Sequence, residues 1–184
     1  QVLQLWLLNK WLPMILPKER DPRFITIRRG GTLTDANHYL LALWAATCAE
    51  HVLPLFEQAN PNDKRPRQAL TLTRAWVNGE IPMKVGHQAA FAANAAAKGL
   101  PDAARFAALA AGQAVAVAHV AAHELGAAAY AIRAVKASVA EKEQDETGRK
   151  ECEWQRNQLP DAIRELVLDD QKLRNHLCWF VFDC

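Results

Sequence analysis

Between Ala89 and Ala140, 25 of 52 residues are alanine, out of 34 in the whole 184-residue chain. No other feature constrains the fold so strongly. Alanine has the best helix propensity because it loses no side-chain entropy in a helix. It is poorly suited to strands. A tract this rich predicts closely packed helices whose backbones approach over methyl groups. The caps and the tract agree, which sets an expected helix content above about 60%. Residues Phe106–His123 carry no formal charge. A helix apolar all round must be surrounded by protein. The sequence therefore predicts a long central helix from about 113 to 142, preceded by a shorter one ending near Ala111 at the Gly112 break.

The remaining punctuation divides the chain into an all-α, Ala-rich bundle of six or seven helices, with a short irregular N-terminal segment. Pro17, Pro22 and the Gly30–Gly31 pair keep residues 17–33 irregular. Thr34 or Asp35 caps a helix running to about Ala59, which Pro54 should kink or end. Asn62 or Asp63 caps the next, with Pro66 tolerated in its first turn and a stop at Asn78–Gly79. A helix from about His87 to Lys98 follows, and another begins after Pro101. The charged tract Glu141–Arg149 reads as a solvated helix end or loop. A last helix spans roughly Asp161–Asn175. Only Phe24–Ile27 and Trp179–Phe182 look strand-like. The large side chains Trp44, Phe56, Trp76, Phe91, Phe106 and Tyr130 are the expected gap fillers among the alanines. No fixed repeat period emerges.

Charge and cysteine usage limit the partners. With 22 basic and 20 acidic residues the net charge is +2, too balanced to indicate a nucleic-acid partner. The four cysteines, Cys48, Cys152, Cys178 and Cys184, have no zinc-cage spacing, and reduced thiols in a cytoplasm are the default. Val2–Leu16 is apolar but too short to span a bilayer and contains Lys10 and Pro13, so no membrane role is expected. Residues 1–13 read as a leader or non-native extension ahead of Met14, with 14–184 a single helical domain.

Few residues suggest chemistry. His119 and His123 stand at i and i+4, a spacing that puts two imidazoles about 6 Å apart on one helical face, where a metal could bridge them. The pattern is H-x-x-x-H-E, so Glu124 points away from the pair, unlike the glutamate of the H-E-x-x-H zinc-protease motif. No third ligand is identifiable, and no nucleophile, phosphate-loop or dinucleotide motif occurs. Arg28 and Arg29 before the glycine pair form a candidate anion or acidic-partner site. Asp63, Arg65 and Arg67 offer a second arginine fork, set against a plain helix cap with local ion pairing.

The runs Leu41–Phe56 (LALWAATCAEHVLPLF), Asp63–Ala69 (DKRPRQA), Ala75–Glu80 (AWVNGE), Ala116–His123 (AVAHVAAH) and Gly126–Ala131 (GAAAYA) resemble, in combination, the immunity-protein-five-like family assigned to bacterial polymorphic toxin systems. The resemblance covers roughly residues 14–184. It implies a cytoplasmic, non-enzymatic protein that neutralises a cognate toxin by binding it, with no cofactor. It carries no catalytic residues over to this chain. Two rivals remain: a metal-dependent hydrolase using His119 and His123, and a small-molecule or nucleic-acid-binding helical protein using the arginine clusters.

Overall fold

The computed structural model describes residues 15–184; the expectation for residues 1–13 lies outside them. Seven α-helices make up the described chain, which is 74% helical and has no strands. They are α1 (Asp35–Ala59), α2 (Arg65–Val77), α3 (Met83–Ala96), α4 (Asp102–Ala116), α5 (Glu124–Ala137), α6 (Gln144–Asn157) and α7 (Asp161–Arg174). Helices α1, α4 and α5 pack on one another at the centre, α2 and α3 cover α4, and α6 lies against α5. This is the all-α bundle expected from the alanine tract.

Local chemistry explains most boundaries. The Thr34 hydroxyl accepts from the Asn37 N–H at 3.2 Å and caps α1. Pro54 lies inside α1, which continues to Ala59 without ending there. By length and composition α1 would cross a membrane, yet more than half of its apolar window is buried in the fold. Gly79 and Gly99 follow α2 and the α3 region at φ +74° and +76°, where a side chain is strained. Helix α3 begins at Met83, four residues ahead of the expected His87. Gly86 is accommodated inside it against Val115 and Ala118. Residues Glu141–Glu143 form a 3-10 turn, and the rest of the charged tract is the start of α6 rather than a loop. Gly148 allows that helix to lie against the Lys136 stem.

The predicted long helix over 113–142 is corrected. Helix α4 runs through Gly112 to Ala116, and the chain leaves helical geometry over Val117–Val120 before one 3-10 turn, Ala121–His123, leads into α5. Gly112 does not break the helix; its missing Cβ lets α3 approach, since a methyl there would meet the Asn94 side chain and the Ala90 carbonyl. The break comes later because tertiary partners capture the backbone. The His38 ring donates from Nε2 to the Val117 carbonyl at 2.6 Å, and Arg174 donates to the Ala122 carbonyl at 3.0 Å.

The core is mostly alanine, with Trp44, Phe56, Leu41, Leu53, Leu125 and Ile132 as its large fully buried members. The Trp44 indole donates to the Gln155 carbonyl at 2.8 Å and ties α1 to α6. Two expected gap fillers are corrected: Phe91 is 65% exposed and Trp76 is only partly buried. Under the core, Arg174 lies between Asp170 and the fully buried Glu124, contacting Asp170 Oδ1 at 2.7 Å and Glu124 Oε1 at 3.3 Å. Burial raises the Glu124 pKa well above the usual carboxylate range, more than the Arg174 charge lowers it.

The two strand-like segments form turns. Residues 22–29 make two 3-10 turns joined to Leu33 by a single bridge at Thr26, and Trp179 and Phe180 both have φ of 56°. The default of reduced thiols gives way at one pair. Cys152 and Cys184 form a disulfide, their Cα atoms 6.1 Å apart, while Cys48 and Cys178 are free and buried. Arg156 draws the two together by donating to the Phe182 and Cys184 carbonyls at 2.9 and 2.6 Å.

Candidate partner-binding cleft

The break after α4 sets a short strip of chain beside the N-terminal turns. Ala118–Ala121, the 20–29 segment, Tyr39, Trp76 and Met83 line a cleft of about 550 Å³. The Trp76 ring forms one wall. It meets His38 and Tyr39 edge-on, at centroid distances of 5.0 and 5.1 Å. Large apolar side chains stand at the rim: Tyr39 and Met83 are exposed, and Ile27, between two lining residues, is 61% exposed.

Cations dominate the same rim. Arg20, Arg28 and Arg29 line it against one carboxylate, Asp35. Arg28 pairs with Asp35 at 3.1 Å, with both side chains largely exposed. Arg20 and Arg29 have no ion-pair partner among the described residues. The turn carrying Arg28 and Arg29 is held by Gly31. A Cβ on Gly31 would collide with the Ile25 backbone, so this close crossing requires glycine. Phe24 is buried and anchors the segment from below.

His119 forms a partition. It lines this cleft and also a second cavity of about 460 Å³ shared with His87, Phe91, Asn94, Gln113 and His123. The His119 ring lies 4.5 Å from His87 and 5.4 Å from His123, centroid to centroid. His123 donates from Nδ1 to the Gln113 Oε1 at 2.8 Å. Burial drives His119 down to about 4, helped by His87, Arg20 and Arg29. Burial also drives His123 down to about 3, helped by His119 and Arg174. Both imidazoles are therefore neutral at pH 7. Among the described residues no group of three or more His, Cys, Asp or Glu side chains converges to hold a metal ion.

The structure thus brings Arg28, Arg29 and His119 together and sets His123 just behind them. It places Asp63, Arg65 and Arg67 elsewhere. Arg65 forks onto Asp63 at 2.6–3.1 Å, and Arg67 onto Glu57 at 2.5 and 2.8 Å, so both guanidiniums are satisfied locally. Those pairs lower the Asp63 and Glu57 pKa values through hydrogen bonding to the arginines. Sequence reasoning missed His38, Tyr39, Met83 and His87 as site residues. Tyr39 sits in the apolar stripe of α1, and only the fold reveals that the stripe's first member reaches the surface.

Residues 31–162 match the family described as Imm-5 like putative immunity protein. The chain belongs to that family. No curated protein and no solved structure matches it. The span matched to the immunity family contains the cleft's floor, including His38, Trp76 and His119, and begins just after Arg20, Arg28 and Arg29.

Proposed function

We propose that this chain acts as a cytoplasmic immunity protein that neutralises a cognate bacterial toxin by binding it, without chemistry of its own. Membership of the immunity family carries the reading. The surface agrees with it. Tyrosine, tryptophan, methionine and arginine are enriched in protein interfaces, and here they surround one cleft. Among the described residues no carboxylate is hydrogen-bonded to the neutral histidines beside it to relay a proton, so the cleft is better suited to contact than to acid–base work. The test is co-expression with the toxin encoded by the neighbouring gene. A binder protects cells only when present in at least equal amount, and it co-purifies with the toxin as a stable complex. Protection at a small fraction of the toxin's concentration would reveal turnover and overturn the reading, as would a failure to protect.

A further inference from the structure

We infer that the cleft receives an acidic segment of the partner, whose carboxylates meet Arg20, Arg28 and Arg29 while a neighbouring apolar side chain packs against Trp76. This deepens the immunity reading and rests on it. Three observations carry it. First, the charge is uncompensated: three guanidiniums face one carboxylate, and two of the three have no ion pair among the described residues. Exposed pairs such as Arg28–Asp35 contribute little, so Arg28 can exchange Asp35 for a partner's carboxylate readily.

Second, the rim is preorganised. Thr32 N–H donates to the Pro22 carbonyl at 3.0 Å, and Leu33 N–H donates to the Ile25 carbonyl at 3.0 Å. With Gly31 fixing the crossing, Arg28 and Arg29 are held on a rigid turn and little backbone entropy is lost on binding. Third, the apolar side is ready-made: Trp76 is braced edge-on by His38 and Tyr39, with exposed Ile27 and Met83 at the margins. Bidentate arginine–carboxylate pairing around an aromatic anchor is a recognition mode for acidic protein segments. A nucleic acid fits less well, because the rim has too few cations to track a phosphate backbone.

The test measures binding of the purified toxin to the full chain by interferometry, at low and moderate salt. The variant Arg20→Glu/Arg29→Glu should weaken affinity by about 30-fold or more and flatten the salt dependence. Arg65→Glu/Arg67→Glu, away from the cleft, should bind as the parent does. A carboxylate-to-lysine change in the toxin should rescue the first variant. Circular dichroism checks that each variant is folded; Arg20 and Arg29 are exposed and have no ion pair among the described residues, so folding should not change. If the parent binds and the cleft variant binds equally well, the acidic-segment assignment is overturned while the immunity reading stands. If the parent does not bind, both fall. Parent affinity for a single-stranded oligonucleotide matching that for the toxin, lost in the cleft variant, would overturn the acidic-segment assignment in favour of nucleic acid.

Discussion

Arg174→Met tests the deepest ionic contact in the fold. The guanidinium donates to both oxygens of Asp170, to Glu124 at 3.3 Å, and to the Ile15 and Ala122 carbonyls at 3.3 and 3.0 Å. Methionine fills a similar volume but leaves the nearly buried Asp170 without a cation and two carbonyls without a donor. Removing one partner of a buried pair costs about 3–5 kcal/mol, because the other charge remains in low dielectric. Glu124→Gln behaves differently. Burial raises the Glu124 pKa, so the folded protein holds that proton more tightly than the unfolded chain does. Stability from this group is therefore present below the ordinary glutamate range and is lost as pH rises above it. Glutamine keeps the shape with no proton to lose, so its stability relative to the parent should increase from pH 5 to pH 8. Urea unfolding followed at 222 nm reads both effects. An Arg174→Met midpoint within about 1 kcal/mol of the parent would refute the cluster's importance. A Glu124→Gln difference that shrinks with pH would refute the assigned proton.

Trp44→Ala should cost about 3–5 kcal/mol, since the indole is fully packed and its N–H bonds the Gln155 carbonyl, while Trp76→Ala should cost roughly half as much. Equal losses in thermal melts would contradict the difference in burial. Because His119 and His123 sit at about 4 and about 3 when folded, the unfolded chain takes up protons that the native state refuses. The contribution of these two rings should be full above about pH 6.5 and fall by about 2–3 kcal/mol toward pH 4, after allowance for solvent at the rings. His123→Gln should flatten that slope in urea titrations at stepped pH. Reducing the Cys152–Cys184 disulfide, which spans 32 residues, should lower stability by about 2–4 kcal/mol, read as a shift in the denaturant midpoint with and without reductant. Ala121→Leu should destabilise by about 1–3 kcal/mol, because its methyl is buried where the 3-10 turn meets α5.

The helices were legible where their cause is local. Alanine density, the Thr34 cap, Gly79, Gly99 and Pro101 all act within a few residues, and α1, α2, α4 and α7 start close to where these signals put them. The break at Val117–Val120 was not legible, because it depends on His38 and Arg174, 79 and 52 residues away from the carbonyls they capture. The charged start of α6 was read as a helix end or a loop without a choice between them, because local charge signals solvent exposure, and exposure does not exclude a helix. Arg28, Arg29 and His119 were visible one at a time. Their convergence with Arg20 and Trp76 follows only once the N-terminal turns fold back over α1.

The alanine interior also bears on how such a protein can change over generations. A methyl group has no rotamers, so where alanine meets alanine in the packing of α4 and α5 the neighbour cannot move aside for a larger residue. Drift in the centre is therefore held to a very small alphabet. Substitutions at the cleft's rim meet no such restriction: Arg20, Arg28 and Arg29 touch solvent and can be exchanged without moving a core atom. An inherited scaffold of this kind separates what must stay fixed from what is free to vary.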